Sequence, residues 1–218
     1  WIAAAVAAAI AVGAVAAWLL SPVESSSNRG TLHVSLALPD GAQVASADSM
    51  PLGVPQPVVA ISPDGSVIAC AVETDDGLRL FRRRLDRPSG EVVPGSEGAF
   101  NPRFSPDGRW IAFMTGNRLK RVRTDGDRVL EIREVTNAFG LAWDGTGHVV
   151  VAANEGTELQ RIDVETGEAD NLASDLADTR YSWPNALRDG TGVVVNDDLA
   201  PSPTGPGFVP IVLHWFDD

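Results

Sequence analysis

The dipeptide Asp-Gly occurs seven times in this chain, at 40–41, 64–65, 76–77, 107–108, 125–126, 144–145 and 189–190. Each lies beside short apolar runs, which is a hairpin signal: type I′ turns need positive φ at both central residues, and Asp-Gly accepts it. A chain punctuated so often has little room for long helices. One larger phrase recurs. Val59-Ala60-Ile61-Ser62-Pro63-Asp64-Gly65-Ser66-Val67-Ile68-Ala69 reads strand, turn, strand. Pro102-Arg103-Phe104-Ser105-Pro106-Asp107-Gly108-Arg109-Trp110-Ile111-Ala112-Phe113 repeats it, and copies without Ser-Pro follow around Asp144-Gly145 and Asp189-Gly190. Taking the Asp of each Asp-Gly as equivalent, Asp64, Asp107, Asp144 and Asp189 are spaced 43, 37 and 45 residues apart. That is the period of a propeller blade.

The interior of each period agrees. Ala69 to Val72 is followed by Asp76-Gly77 and then Leu78-Arg79-Leu80-Phe81-Arg82, which alternates as a half-buried strand. Leu119–Arg123, Asp125-Gly126 and Val129–Ile132 form the next copy, and Leu159–Asp163 with Thr166-Gly167 the third. Each period therefore holds about four short strands. The expected fold is all-β: a partial or degenerate β-propeller of four-stranded antiparallel blades, about four of them recognisable, over residues 31–218. Two further expectations concern its ends. Val34–Leu38 and Ile211–Trp215 are expected to join one blade, with Leu36 near Leu213. A Pro/Gly-rich stretch at 197–210 completes no blade.

The first twenty residues are a different material. Trp1–Leu20 contains none of the 17 basic or 29 acidic side chains. A helix of about 20 apolar residues crosses a hydrocarbon core of roughly 30 Å. Trp1 and Trp18 sit near its ends, as interfacial aromatics do, and Ser21-Pro22 stops it. The expectation is one transmembrane helix at 1–20 and a flexible tether at 21–30. The competing reading, a signal peptide, has a shorter apolar region behind a basic stretch. The flank Ser21–Leu32 carries one basic residue, Arg29, which favours an extracytoplasmic C-terminal part.

Composition removes other classes. A single Cys makes no internal disulfide and no Cys-based zinc site. A net charge of −12 disfavours nucleic acid. No G-x-S-x-G elbow, P-loop, G-x-G-x-x-G or kinase catalytic signature is present, so no catalytic, metal or cofactor residues are assigned. His33, His148 and His214 have no partner at ligand spacing; Asp75-Asp76 and Asp125-Gly126-Asp127 read as hairpin turns rather than Ca²⁺ loops. Arg82, Arg83 and Arg84, with Arg121 and Arg123, form the densest positive feature. It reads either as a basic strip for an anionic partner or lipid headgroup, or as a solvated strand face with neighbouring acids. Trp110, Trp143 and Trp183 recur at blade-like spacing and read as inter-blade packing, with channel-lining aromatics as the alternative; Cys70 reads as a buried small residue.

The Ser-Pro-Asp-Gly phrase followed by Arg-Trp-Ile-Ala-Phe resembles the WD-repeat-like blades of TolB-type β-propellers. The sequence of a membrane helix, Val34–Gly41, Ala60–Gly65, Gly95–Gly98, Phe104–Gly108 and Trp183-Pro184 is similar to the extracytoplasmic half of membrane-spanning bacterial serine/threonine protein kinases. Ile211–Asp218 resembles their closing strand. The resemblance implies a non-catalytic sensor or interaction module of the bacterial inner membrane, single-pass, with a kinase domain upstream. It implies a protein or small-molecule ligand outside the cytoplasm, with homodimerisation as a candidate signalling step. The alternatives are a TolB-like periplasmic scaffold without kinase and, further off, a propeller accessory domain of a peptidase.

Overall fold

A computed structural model describes residues 33–46, 57–173, 179–187, 189–197 and 211–216. The expected membrane helix, the tether and most of the stretch 197–210 lie outside the described residues. Among the described residues no helix is long and apolar enough to cross a membrane. The chain divides into two units, 1–36 and 37–218. Of the first, residues 33–36 are described and carry no regular secondary structure.

The second unit is four antiparallel sheets in succession. In the first, β1 (Gln43–Val44) and β2 (Val59–Ile61) lie end to end along β3 (Val67–Thr74), followed outward by β4 (Gly77–Arg84) and β5 (Glu91–Val92). The second sheet is β6 (Ala99–Phe104), β7 (Trp110–Thr115), β8 (Arg118–Arg123) and β9 (Val129–Glu134). The third is β10 (Leu141–Trp143), β11 (His148–Ala153), β12 (Glu158–Asp163) and β13 (Ala169–Ala173), with one 3₁₀ turn at Asn154–Gly156. The fourth holds three strands among the described residues: β14 (Tyr181–Ala186), β15 (Gly192–Asp197) and β16 (Ile211–Trp215). Within the second, third and fourth sheets spatial order equals chain order, and hairpins connect the strands of the second and third. The expectation of four-stranded antiparallel blades holds.

The second strand of each blade explains why the sheets stack. Ile111 and Phe113 of β7 pack toward the first blade with Ala69, Leu80 and Val93, while Ala112 and Met114 pack toward the third with Val149 and Val151. On β11, Val149 and Val151 face the second blade, whereas Val150 and Ala152 face the fourth, meeting Tyr181, Val193 and Val195. Successive side chains of a strand point to opposite faces, so a strand buried on both faces reads as a continuous apolar run. Trp-Ile-Ala-Phe-Met and His-Val-Val-Val-Ala-Ala are such runs. Leu80, Phe81 and Arg82 are likewise all buried, so β4 departs from the half-buried alternation expected of it.

The turns differ from expectation in two ways. They are not type I′. In the first, second and fourth copies the N–H of Gly65, Gly108 and Gly190 donates to the carbonyl of Ser62, Ser105 and Leu187. Among the described residues of these turns only the glycine has positive φ, at 74°, 71° and 74°. This is a type I turn closed by a left-handed glycine, a common longer hairpin loop. The third copy is also displaced by two residues. Asp144 donates its N–H to His148 as Ser105 does to Trp110, and the left-handed glycine is Gly147, φ 92°, not Gly145. Asp144 therefore stands where the other turns have Ser62, Ser105 and Leu187. The true equivalents are spaced 43, 39 and 43 residues apart, more even than the Asp-Gly count.

The two ends of the repeat also differ from expectation. Residues 33–39 contain no strand, so the strand expected at Val34–Leu38 is not formed. Ile211–Trp215 pairs instead with β15, Leu213 opposite Val194.

Candidate functional site

The basic strip resolves into paired arginines. Arg82, Arg121 and Arg161 occupy one repeated position on the third strand of their blades, opposite Ala69, Ala112 and Val150. Arg82 crosses to the second blade, donating to the carbonyls of Arg123 and Gly126 and to the Asp127 carboxylate, 2.5 Å away. It also binds Glu91 at 2.8 Å. Arg121 crosses to Glu165 of the third blade and stacks on Trp110, 4.3 Å from the ring centre. Arg161 binds Asp144 at 2.9 Å within its own blade and lies over the Phe216 ring. Arg84 pairs with Asp86 and Arg123 with Asp125, and Arg83 donates to the Arg87 carbonyl. The strip brings its own carboxylates with it. The Asp125–Asp127 turn thus serves arginines, and no cluster suited to a metal ion occurs among the described residues.

The turn positions form hydrogen-bonded caps. The Ser62 hydroxyl donates to Asp64 at 2.6 Å and accepts from the Val67 N–H; Ser105 does the same with Asp107 and Trp110. The Asp64 carboxyl is lowered to about 2, first by the Ser62 hydroxyl and then by the backbone and hydroxyl of Ser66. Asp189 is held low in the same way by Thr191. Asp144 is 1% exposed. Burial pushes its carboxyl up, but donations from the His148 and Thr146 N–H groups and from Arg161 outweigh it, and the group stays below the usual range. Burial raises the Cys70 thiol to about 11, which keeps it protonated and unreactive.

The three tryptophans do not occupy equivalent places. Trp110 opens a second strand, Trp143 closes an inner strand, and Trp183 sits inside one with φ 52°. Trp143 packs between the second and third blades, and its indole N–H donates to the Arg103 carbonyl at 3.0 Å. His148 lies 3.7 Å from Asp144 and 3.8 Å from Asp163. His214 stacks edge-on against Tyr181.

The turns connecting first to second strands and third to fourth strands share one end of the blades, and that end is cleft. One cleft of about 340 Å³ lies between Trp110, Asp107 and Arg121 on one side and Asp144, Asp163 and Glu165 on the other. Another, of about 410 Å³, is lined by all four blades: Pro63 from the first, Arg103 and Phe104 from the second, Trp143 from the third and Asn185 from the fourth. Two matching bulges shape it. Asn101-Pro102 in β6 and Trp183-Pro184 in β14 each have a left-handed residue before proline, φ 53° and 52°, and each shifts the register by one bulge. Arg103 and Asn185 are the first paired residues after these bulges and both turn into the cleft. Sequence reasoning did not single out Arg103, Arg161 or Glu165. The repeated arginine at a fixed offset from each hairpin was the available signal for Arg161; nothing local marked the others.

No protein-family profile matches the chain, and no curated protein does. Solved structures do. A putative TolB from Agrobacterium tumefaciens superposes with a TM-score of 0.58 at 14% identity, over 73% of this chain and 60% of that one. TolB from Acinetobacter baumannii gives 0.54 at 17% identity, over 77% and 44%. The tricorn protease gives 0.55 at 19% identity, over 84% of this chain and 17% of that one. At such identities the likeness is one of fold, and the fold is a TolB-like β-propeller. The chain spans about 60% or less of the TolB structures it resembles.

Proposed function

We propose that residues 31–218 are a non-catalytic binding module, presenting the cleft end of the blades to a protein or small-molecule ligand. In this reading the module stands outside the cytoplasm of a bacterial cell, anchored in the inner membrane by Trp1–Leu20. It is the C-terminal part of a serine/threonine protein kinase and signals by dimerisation. The observation that carries the binding role is the cleft built jointly by all four blades, with turns held stiff by Ser62, Ser105 and Asp144 around it. A preformed, mainly apolar cleft with a few fixed polar groups is the usual form of a ligand site. The kinase and membrane roles rest on the ordered sequence resemblance. A TolB-like scaffold without kinase is the second reading, favoured by the two TolB superpositions.

Two experiments test this. The coding sequence preceding Trp1 separates the readings: a kinase domain there selects the first, and a start codon with a basic flank selects the second. Phage display of random peptides against the full chain, followed by affinity measurement, tests binding. Peptides with micromolar affinity that protect the 62–66 or 105–109 turns from hydrogen exchange are expected. Failure to select any such peptide removes the protein-binding role.

A further inference from the structure

Arg103 differs from the arginines that bridge the blades and brace their turns. Arg82, Arg84, Arg118, Arg121, Arg123 and Arg161 each lie against a carboxylate. Arg103 has no carboxylate within ion-pairing distance among the described residues; its Nε donates to the Leu141 carbonyl at 3.2 Å, and a long Nη1 contact reaches the Pro102 carbonyl at 3.4 Å. The side chain is half-buried, and loss of water lowers its pKa from the ordinary guanidinium value. A guanidinium in this setting stays charged and presents five donors in a planar fork. Two weak carbonyl contacts leave most of that fork unused. Its surroundings are fixed: the Trp143 indole holds the Arg103 carbonyl, and the bulge at Asn101-Pro102 sets the direction of the strand beyond it. Opposite stands Asn185, placed by the matching bulge, with Phe104 and Ala186 completing an apolar wall.

We propose that the four-blade cleft is a carboxylate site, in which Arg103 binds the carboxylate, Asn185 donates a further hydrogen bond and the Phe104–Trp143 wall takes the apolar group attached to it. This deepens the binding role proposed above and rests on it. A partly desolvated arginine without a counter-ion is unfavourable by itself and favourable once an anion fills the fork. The cleft of about 410 Å³ admits an organic acid or the acidic end of a peptide. Both supply the same chemistry.

The test uses the full chain at physiological salt and two ¹⁹F NMR probes, 4-fluorobenzoate and its neutral counterpart 4-fluorobenzamide. Benzoate is expected to bind saturably and about tenfold or more tightly than the amide, the difference a charged hydrogen-bond pair makes. Arg103→Gln is expected to erase that difference, and Arg103→Lys to retain part of it. Equal binding of the two probes, binding of neither, or undiminished benzoate binding by Arg103→Gln overturns the proposal. If Arg103→Gln fails to fold, the benzoate–benzamide comparison on the unaltered chain still decides. Display-selected peptides identify the source. A peptide displaced by benzoate and weakened by C-terminal amidation or Glu→Gln places the carboxylate on a protein. Benzoate binding with peptides indifferent to it assigns the site to a free organic acid. Peptides that bind while benzoate does not overturn the carboxylate site and leave the binding module standing; the reverse removes the protein partner alone.

Discussion

Arg121 on the second blade grips Glu165 on the third through two parallel hydrogen bonds, Nη1–Oε1 at 2.6 Å and Nη2–Oε2 at 2.8 Å. The two ends of the pair are unequal: Arg121 is 6% exposed, whereas the Glu165 side chain is largely in water. The carboxylate neutralises a buried cation from outside, and the Arg121 hydrogen bonds hold the Glu165 carboxyl below its usual range.

Removing the exposed partner should therefore be the worse change. Glu165→Ala leaves a buried guanidinium uncompensated and is expected to cost about 1–3 kcal/mol, whereas Arg121→Met removes the charge itself and keeps the contact with Trp110, costing less. Urea unfolding of both variants checks the order. A smaller loss for Glu165→Ala than for Arg121→Met would contradict this account of the pair.

The displaced third turn makes a paired prediction. Gly147→Ala forces a Cβ into a left-handed position and is expected to cost about 1–2 kcal/mol, although nothing crowds it in space. Gly145→Ala is expected to change stability by less than about 0.5 kcal/mol. Thermal melts of the two variants decide which glycine closes the turn.

Asp144 gives a graded series. Asp144→Ala orphans the N–H groups of Thr146 and His148 and strips Arg161 of its carboxylate, an expected loss of about 3–5 kcal/mol. Asp144→Ser restores the hydroxyl found in the first two turns, so it should recover part of the loss. Equal destabilisation by the two variants would show that the Ser-like cap contributes nothing.

Acid should weaken the fold through the turn aspartates. The folded pKa of Asp64, about 2, lies below its unfolded value near 3.8, so its contribution is complete above pH 3.8 and disappears as pH falls through 2. Ser62→Ala is expected to raise the Asp64 pKa, since the Ser62 hydroxyl is the largest cause of the depression. A carboxyl-carbon NMR titration that shows Asp64 unmoved in this variant would refute the assignment.

His214 acts in a higher range. Burial lowers its folded pKa from 6.5, so the neutral ring is fully stabilising above pH 6.5 and the contribution is lost as pH falls below that. His214→Phe keeps an aromatic ring beside Tyr181 and should flatten the decline between pH 6.5 and 5. A stability–pH slope over that interval equal to the unaltered chain's would exclude His214 as its source.

The repeat was legible because turn chemistry is local. Ser62-Pro63-Asp64-Gly65 and Ser105-Pro106-Asp107-Gly108 contain within four residues everything a type I turn with a left-handed glycine needs. The third copy misled for the same reason: Asp144-Gly145 has the right letters, but a turn is positioned by the strands it joins. Trp143 pairs with Val149, which leaves Asp144 at the cap and passes the left-handed corner to Gly147. The arginines were visible as a basic cluster and invisible as pairs, because Arg82 and Asp127, or Arg121 and Glu165, are 45 and 44 residues apart and meet only across neighbouring blades.

By itself, then, the sequence determined the all-β class, the number of recognisable blades and the place of most hairpins, since each depends on residues adjacent in the chain. Stacking of the sheets decided the rest. It turned two arginines of a solvated-looking strip, Arg82 and Arg121, into bonds between blades, and left Arg103 without a carboxylate among the described residues where four inner strands converge. Charge on a strand shows what a side chain is; only the facing blade determines what it meets.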